Sequence, residues 1–351
     1  MLAEKMTETG RALATIETIT DIAAIEGADS IVRARIRGWD VVVGKTQFEV
    51  GDTVIYVEVD SLLPISDPRF AFLASRGVRN QNGVEGHVLK TARLRGQYSQ
   101  GIAFDPSDFP EVTDAQVGDD VTDALAIIKW DPPLPAELIS NARGWLPSWV
   151  SASSEIRVQN SSDILAADAE RGDWLATEKI DGMSMTVWSD GDDYGVAGRN
   201  VDFLEASNNM FWQTANSLGL HPSIGSEWGD RRVAIQGELF GPGVIKNSLA
   251  VNDVEFRAFT LYVDGIEVPR IQWPNWLLDI ATPVYDFDLP HSVDEAVKQV
   301  DGLKSLINPQ RRAEGVVWRN RTRAYVGLPN GRSVRASLKV ISPAYLMKAD
   351  R

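Results

Sequence analysis

The first third of the chain consists of short apolar runs separated by Gly, Asp and Pro, from Ile16 to about Asp123. Runs of this length between such breaker residues are typical of β-strands rather than helices. In DTVIYVEVDS the expected buried residues are Ile55, Val57 and Val59, and the expected exposed residues are Tyr56, Glu58 and Asp60. The pattern predicts a small all-β barrel, of either the five-stranded OB type or the SH3-like type.

The length of 351 residues is great for one hydrophobic core and fits two domains. The composition, 44% hydrophobic and 24% charged, is that of packed globular domains rather than of a disordered chain. Residues 130–149, WDPPLPAELISNARGWLPSW, are rich in Pro and Trp and have little periodicity. We therefore predict an OB-like barrel over residues 1–129, an ordered connector over 130–154 and a second domain over 155–351.

The second domain has a different pattern. Strand-like runs there alternate with longer segments, such as EASNNMFWQTANSLG and VDEAVKQVDGLKSLI, whose apolar residues recur three and four positions apart. That spacing is typical of amphipathic helices, so this domain is predicted to be α+β.

Composition also excludes several classes of site. The chain contains no cysteine, which excludes disulfides, thiolate metal sites and cysteine nucleophiles, and its three histidines are too scattered to favour a histidine metal cage. The first residues lack the charged-then-apolar order of a signal peptide, and no run of 18 apolar residues occurs. We expect a cytoplasmic protein with no membrane segment.

The net charge of −14 disfavours a large surface that coats nucleic acid without specificity. Residues 31–100 differ from the rest, because ten Lys and Arg stand there against seven Asp and Glu, a balance of +3. This excess indicates either a phosphate-binding surface or an ordinary solvated face. The candidate nucleic-acid contacts are Arg33, Arg35, Arg37, Lys45, Arg93 and Arg95.

The segment ATEKIDGMSMTVW contains Lys179, Asp181 and Gly182 as K-x-D-G at the end of a strand-like run. The same tetrapeptide occurs by chance in turns, where the lysine would be an ordinary surface residue. A lysine amine attacks phosphorus only when it is neutral. As a nucleophile, Lys179 would therefore need a pocket in which burial and neighbouring cations lower its pKa.

Further polar segments follow in a fixed order. They are AGRN with Arg199, AIQGELFGPG with Glu238, EFRAFTLYVDG with Phe259, EGVVWRN with Glu314 and SVRASLKVIS with Lys339. Alternation along AIQGELFGPG predicts that the Glu238 carboxylate points away from the aliphatic face of Val233 and Ile235. In SVRASLKVIS it puts Arg335, Ser337 and Lys339 on one face.

Each of these residues alone could be structural, but together they are what nucleotidyl transfer requires. Two carboxylates can hold Mg²⁺, cations can neutralise charge on a transferred phosphate, and an aromatic ring can stack on a base. The joint order of the segments therefore favours a nucleotidyl-transfer site.

In this order the segments resemble the motifs of the covalent nucleotidyltransferase superfamily of DNA ligases, RNA ligases and mRNA capping enzymes, and the resemblance covers nearly the whole chain. RGWDVVVGKTQFEVGDTVIYVEVDSLLP and RLRGQYSQGIAF resemble the OB module that precedes the transferase domain in RNA ligases of the Naegleria and Deinococcus kind. DNA ligases and capping enzymes usually carry their OB module after that domain. The resemblance implies an N-terminal all-β OB-like barrel followed by an α+β nucleotidyltransferase domain of the ATP-grasp-like ligase type.

The resemblance also implies a role for each matching residue. ATP would donate AMP to Lys179 with the help of Mg²⁺ or Mn²⁺, which Glu238 and Glu314 would hold directly or through water. The other implied roles are Lys339 on the α-phosphate, Phe259 stacked on adenine, Arg199 on the ribose or phosphate, Arg157 of EIRVQN near the AMP phosphate or metal, Glu178 on the adenine amino group, and Ile180 in the nucleotide site.

Two positions depart from the pattern. Many relatives have a second lysine where this chain has Ser337, and aspartate where it has Thr260. Arg335 could supply the missing positive charge, or the site could have one cation fewer.

The activity implied by the resemblance is that of a monomeric RNA ligase that seals 3'-OH/5'-phosphate breaks. Its substrate would be RNA, or a nicked duplex whose 3'-OH strand ends in ribonucleotides. The alternatives are a DNA ligase, a capping-type guanylyltransferase that uses GTP, and a catalytically silent OB-containing nucleic-acid-binding protein.

Overall fold

The computed structural model describes residues 12–131, 140–151, 153, 155–167, 173–206, 208–327 and 333–349. The chain divides into two compact units, Met1–Pro133 and Leu134–Asp350. The division lies inside the predicted connector, residues 130–154. Among the described residues, no helix is both long and apolar enough to cross a bilayer.

The first unit is built mainly from strands. They are β1 Ala14–Ala24, β2 Ile31–Ile36, β3 Trp39–Gly44, β4 Thr53–Val57, β5 Ser61–Pro64, β6 Arg79–Gln81, β7 Val84–Val88, β8 Ala92–Leu94, β9 Gln97–Ser99, β10 Ile102–Phe104 and β11 Ile128–Lys129. The order β10-β4-β1-β2-β3 forms a five-stranded antiparallel sheet, β11-β5-β7-β6 forms a second sheet, and β8 pairs with β9. Short 3-10 helices cover Pro68–Arg76, Pro106–Asp108 and Pro110–Val112.

The long strand β1 and its partner β4 separate two hydrophobic clusters. Ile16, Ile55 and Val57 pack with Phe70 in one cluster. Ile19 and Tyr56 pack with residues of β2 and β3 in the other. Short antiparallel strands that bury apolar side chains are what a small β-barrel domain requires, so the all-β prediction is confirmed.

The predicted exposed face of β4 is wrong. Tyr56 is fully buried, and Glu58, just after the strand, is 1% exposed. The Tyr56 hydroxyl donates to the carbonyl oxygen of Gln100 at 2.7 Å. Because β4 lies between two clusters, both of its faces are covered. Tyr56 therefore alternates with aliphatic residues although its side chain does not face solvent.

The second unit combines strands and helices, as predicted. The strands are β12 Ala142–Trp145, β13 Ile156–Arg157, β14 Trp174–Lys179, β15 Met183–Ser189, β16 Tyr194–Ala197, β17 Val201–Phe203, β18 Val233–Phe240, β19 Glu255–Val263, β20 Ile266–Glu267, β21 Val284–Tyr285, β22 Gly315–Asn320, β23 Tyr325–Gly327, β24 Ser333–Arg335 and β25 Ser337–Ile341. The α-helices are α1 Ser162–Ala167, α2 Met210–Ser217, α3 Leu220–Trp228, α4 Asn275–Asp279, α5 Val293–Val300 and α6 Pro343–Ala349, with 3-10 helices at Val158–Asn160 and Arg270–Gln272.

Two sheets organise this unit, and each has its own core. The first, β12-β17-β16-β15-β18-β19-β20, buries one face with α2 and α3 around residues such as Met185 and Ile235. The second, β13-β25-β22-β14-β21, buries one face with α5 around Trp174 and Trp318. The predicted connector is divided between the two units. Strand β12 pairs with β17 of the second unit, whereas Trp130 N and Asp131 N donate to Asp60 O and Gln81 Oε1 of the first unit.

The faces opposite these two cores carry polar residues that meet one another. Arg319 of β22 and Arg335 of β24 donate to Thr260 Oγ1 of β19 at 3.4 and 3.0 Å. Lys179 of β14 interacts electrostatically with Glu238 of β18. The two sheets therefore enclose a polar site between them.

Candidate active site

Lys179 lies at the end of β14, opposite Gly315 at the start of β22. Its Nζ donates to Glu314 Oε2 at 2.6 Å, and the Lys179 side chain is 24% exposed. The pairing of β14 with β22 thus brings together two predicted site residues that lie 135 positions apart.

The charge state of Lys179 differs from the sequence-based expectation. Burial lowers the pKa of Lys179, but the carboxylates of Glu314, Glu238 and Asp181 outweigh burial and raise it above its ordinary value. In the protein alone the amine is therefore a stabilised cation. A neutral nucleophile requires positive charge that is brought in from outside this carboxylate set.

Glu238 faces away from the aliphatic core of β18, as alternation predicted. Burial and the neighbouring carboxylates of Glu314 and Asp181 raise its pKa to about 8, although Lys179 and the Gly182 backbone N–H act in the opposite direction. The pKa of Glu314 is also raised, mainly by burial. The two carboxylates repel each other, and a cation between them would relieve that repulsion.

The glycine of K-x-D-G has a steric role. A Cβ atom on Gly182 would lie 2.2 Å from the carbonyl oxygen of Leu239 and 3.0 Å from Glu238 Cγ. Only glycine lets the turn between β14 and β15 approach β18 this closely. This approach holds Lys179 next to Glu238.

The aspartate of K-x-D-G is bound by the last helix. Tyr345 Oη donates to Asp181 Oδ2 at 2.5 Å. Helix α6, which carries Tyr345, is anchored next to the site because Ser342 N donates to the Glu314 carbonyl oxygen at 2.8 Å and Ala344 N donates to Asp301 Oδ1 at 2.8 Å. Asp181 therefore has a fixed orientation beside the lysine.

Two predicted cations lie side by side on the second sheet. Strand β13 pairs parallel with β25, which places Arg157 opposite Lys339. Arg157 is 6% exposed. The Lys339 ammonium lies within electrostatic range of both Glu314 and Glu155. It favours the ionised form of each carboxylate, although burial still raises the pKa of Glu314 overall.

Phe259 occupies an irregular position on β19. Gln236 pairs with Thr260 and Gly237 with Ala258, so Phe259 is the extra residue of a β-bulge. The Arg319 guanidinium lies 5.1 Å from the centre of the Phe259 ring. The bulge orients the ring toward the polar site, and its stacking on adenine stays a prediction.

Ser337 and Thr260, the two departures from the family pattern, belong to one buried network. Ser337 Oγ donates to Glu155 Oε2, and Arg319 and Arg335 donate to Glu155 Oε1 at 2.6 and 3.2 Å. Burial alone would raise the pKa of Glu155, but the two arginines and the serine hydroxyl outweigh it and hold that pKa at about 2.

Arg335 is therefore committed to other partners. It contacts Glu267 with Nε at 2.8 Å and Nη2 at 3.1 Å, in addition to Glu155 and Thr260. Replacing a lysine by Ser337 and an aspartate by Thr260 removes one charge of each sign from the same network, so the two departures balance.

Three predicted nucleotide contacts lie in less direct positions. The Glu178 carboxylate is on the opposite face of β14 from Lys179, where Oε2 accepts from the Leu306 N–H at 2.7 Å. Ile180 packs with Phe240 and Leu249. Arg199 lies half-buried between β16 and β17. Their roles stay predictions.

The carboxylates of Glu238 and Glu314 fit Mg²⁺ or Mn²⁺, which prefer oxygen ligands. In the described ranges there is no group of three or more Asp, Glu or His side chains that could hold a metal. A cation here would complete its coordination with phosphate oxygens and water, as Mg²⁺ does in many nucleotide sites.

The six candidate nucleic-acid residues separate into two groups. Arg33 pairs with Asp40 at 3.0 Å and with Asp21, and Arg35 pairs with Asp40 at 3.3 Å. Arg37 pairs with Glu17 at 2.5 Å. Lys45, Arg93 and Arg95 are exposed, and among the described residues none of the three forms an ion pair.

Sequence reasoning missed Glu155, Arg319 and Tyr345. Each acts on a partner distant in sequence: Tyr345 and Asp181 are 164 residues apart, and Glu155 and Arg319 are also 164 apart. The one available signal was the position of Glu155 at the start of EIRVQN, two residues before Arg157.

Comparison with known proteins supports both units. An OB-fold domain model matches residues 13–106, and an RNA ligase model matches residues 172–341. A structure of Naegleria gruberi RNA ligase with PPi is 32% identical, covers 97% of this chain and 100% of its own chain, and gives a TM-score of 0.84.

Two variants of that Naegleria gruberi enzyme match with the same identity, coverage and TM-score. One has a glutamate replaced by alanine and is with AMP and Mn, and the other has a lysine replaced by alanine and is with ATP and Mn. The comparison with curated proteins finds no match. The chain therefore belongs to the RNA ligase family and consists of an N-terminal OB-fold domain followed by an RNA ligase domain.

Proposed function

We propose that this protein is an ATP-dependent RNA ligase that seals 3'-OH/5'-phosphate breaks, as a monomer, through AMP carried on Lys179. The observation that supports this most directly is the contact of Lys179 Nζ with Glu314 Oε2 at 2.6 Å, next to Glu238. The Naegleria gruberi structures with ATP and Mn or AMP and Mn support the choice of nucleotide and metal.

In the first step Lys179 Nζ bonds to the α-phosphorus of ATP, the bond to the β-phosphate oxygen breaks, and pyrophosphate leaves. The ammonium must lose a proton, and Glu314 is placed to accept it because its carboxylate contacts Nζ and has a raised pKa. Mg²⁺ or Mn²⁺ held directly by Glu238, and through water by Glu314, would supply the positive charge that lowers the pKa of Lys179 and neutralises the phosphates.

The remaining residues bind and orient. Lys339 and Arg157, adjacent on β25 and β13, would neutralise charge on the transferred phosphate. Phe259, fixed by the bulge and by Arg319, would support the adenine. The close approach of Gly182 to β18 keeps these groups within one pocket, which provides the proximity that the reaction requires.

The second and third steps use the same groups. An oxygen of the 5'-phosphate attacks the phosphorus of lysyl-AMP, the P–N bond breaks, and Lys179 recovers its proton. The 3'-OH then attacks the activated 5'-phosphate, which forms the phosphodiester and releases AMP. We propose a nicked duplex whose 3'-OH strand ends in ribonucleotides as the substrate, with the OB-fold domain as a nucleic-acid-binding module.

The test is a sealing assay on nicked duplexes that differ only in a ribonucleotide or deoxyribonucleotide 3'-end, with ATP or GTP and Mg²⁺. We expect sealing with ATP at ribonucleotide ends, loss of sealing in Lys179→Ala, and retention in Lys298→Ala, which removes an exposed lysine of α5. Preference for deoxyribonucleotide ends would indicate a DNA ligase. Covalent labelling of the protein by GTP and not by ATP would indicate a capping-type guanylyltransferase. Binding of the duplex without any turnover would indicate a silent nucleic-acid-binding protein.

A further inference from the structure

The hairpin of β8 and β9 has a tight, preformed turn. Leu94 pairs with Gln97, so the loop is Arg95 and Gly96, both in the left-handed region with φ of 49° and 87°. Two such residues form the turn whose twist matches that of the flanking strands. An arginine is poorly suited to this backbone region, so its presence at residue 95 is not explained by turn formation.

The side chains at the tip of this hairpin are directed to solvent. Arg93, Leu94 and Arg95 are exposed, with Leu94 43% exposed. Arg93 lies directly across from Tyr98, with its guanidinium 5.3 Å from the centre of the ring. Its Nε donates to the Gly96 carbonyl oxygen at 3.1 Å. The hairpin therefore presents the oriented Arg93 guanidinium beside an aromatic ring, with the exposed Arg95 at its tip.

A third cation lies at the same end of the barrel. Val42 N donates to Ser99 Oγ at 3.0 Å, and Gln100 N donates to the Asp40 carbonyl oxygen at 2.8 Å. Val42 lies beside Ser99 and Asp40 lies beside Gln100, so β3 and the segment after the hairpin are antiparallel. The turn at residues 95 and 96 therefore lies toward Gly44, the last residue of β3. Lys45 follows Gly44 directly and is exposed.

The arginines of β2 differ from these three cations in one decisive respect. Arg33 and Arg35 share Asp40, and Arg33 also binds Asp21, so their charge is neutralised within the domain. In the described part of the chain, Lys45, Arg93 and Arg95 form no ion pair with a carboxylate. A cation without a carboxylate partner displaces the counterions condensed on the phosphate that it binds, whereas a cation already paired with aspartate gains less from that contact.

We propose that the hairpin of residues 92–99, together with Lys45, binds the phosphate backbone of the nucleic-acid substrate, and that Arg33 and Arg35 do not. This inference rests on the proposed function. The guanidinium groups of Arg93 and Arg95 and the Lys45 ammonium neutralise phosphates. The stacked pair of Arg93 and Tyr98 offers a planar surface to a base beside the break.

The experiment compares charge-matched variants of the full chain. R93Q/R95Q and R33Q/R35Q each remove two positive charges. The single variant K45Q removes the third cation proposed to bind phosphate. Binding of a fluorescent nicked duplex is measured by anisotropy over a series of salt concentrations, in EDTA and without ATP, so that no turnover occurs. Thermal unfolding of each variant checks that it is folded.

We expect R93Q/R95Q to bind at least about tenfold more weakly and to reduce the salt slope, log Kd against log salt, by about 2, since each lost phosphate contact lowers it by about 0.9. K45Q should lower the slope by about 1, and R33Q/R35Q should leave it unchanged. R95Q alone, at the exposed tip, gives the same test if the double variant does not fold.

The opposite pattern, with an unchanged slope in R93Q/R95Q and R95Q or a reduced slope in R33Q/R35Q, would overturn the assignment. Lysyl-AMP formation and sealing by the wild type are measured separately. If the wild type seals nicks while the hairpin variants bind normally, only the hairpin assignment fails. If the wild type neither forms lysyl-AMP nor binds the duplex, the proposed function fails together with it.

Discussion

At the residue scale, the site is an arrangement of charges around one amine. Glu314, Glu238 and Asp181 keep Lys179 protonated, and in turn the crowding of these carboxylates raises the pKa values of Glu238 and Glu314. In the protein alone the Lys179 amine is therefore a stabilised cation. Under the proposed mechanism, positive charge brought in with the nucleotide would shift it toward the neutral form.

The raised pKa of Glu238, about 8 against an ordinary 4.5, predicts a pH dependence of stability. Between these values the folded protein keeps a proton that the unfolded chain releases, so the free energy of unfolding falls as pH rises, by up to about 1.4 kcal/mol per pH unit. Glu238→Gln should flatten this fall, although Glu314 contributes in the same direction. Urea unfolding from pH 5 to 9 in EDTA measures it.

The control for this prediction is Glu227→Gln, which changes an exposed glutamate of α3. It should keep the wild-type pH dependence. Parallel curves for the wild type and Glu238→Gln would show that Glu238 titrates normally and would contradict the described charge arrangement.

Residue identity predicted which polar side chains come together better than it predicted their surroundings. Lys179, Glu238 and Glu314 were singled out by their chemistry and order, and the structure places them close together. The raised pKa of Lys179 in the protein alone was not predicted, because it depends on distances between strands that are remote in sequence. The hydrogen bond from Tyr345 to Asp181 had no sequence signal for the same reason.

At the element scale, strand alternation predicted facing correctly where one side of a strand meets an apolar core. Val233 and Ile235 are buried, and Glu238 takes the other face of β18. The rule failed in β4, which has a cluster on each side. It also did not reveal the bulge at Phe259, because EFRAFTLYV shows no break at that residue.

The network around Glu155 predicts energetic coupling between two positions of adjacent sheets. Ser337→Lys places a further cation near Arg319, Arg335 and Lys339, and we expect it to lower the free energy of unfolding by roughly 3 kcal/mol. Adding Thr260→Asp supplies a carboxylate to the same arginines. The double variant should recover at least about 1 kcal/mol relative to additive behaviour.

Urea unfolding of the wild type, both single variants and the double variant gives this coupling energy. Ser337→Ala combined with Thr260→Asp provides the comparison in which no cation is added. Additive changes in the first set would show that the two departures from the family pattern are independent, which contradicts the balanced network.

At the scale of the whole molecule, the residues proposed to carry the nucleotide chemistry lie in one unit. Lys179, Glu238, Glu314 and Lys339 all belong to the unit Leu134–Asp350. As far as the chain is described, the two main hydrophobic clusters of this unit are built from its own residues. Breaker-separated strands predicted the barrel. Three- and four-residue spacing predicted α2 and α5, although α5 ends at Val300 and residues 301–307 of the predicted segment are not helical. Neither pattern could predict the edge strand β12, because its formation depends on pairing with β17.

This separation predicts that a fragment of residues 134–351 folds and forms lysyl-AMP with ATP and Mg²⁺ but seals nicked duplexes poorly. Circular dichroism and urea unfolding establish folding, and labelled ATP measures AMP transfer. The same fragment with Lys179→Ala controls for noncovalent label. A folded fragment that takes no label would show that the first unit is needed for the nucleotide step.

The most direct test of the central claim is covalent labelling of the full-length protein with α-labelled ATP and Mg²⁺, followed by denaturing electrophoresis and mass spectrometry of the peptides. We predict AMP on Lys179, no label in Lys179→Ala and normal labelling in Lys298→Ala. Persistent labelling of Lys179→Ala would place the nucleophile elsewhere. A wild-type protein that takes no label from ATP would contradict the claim that this site catalyses adenylylation.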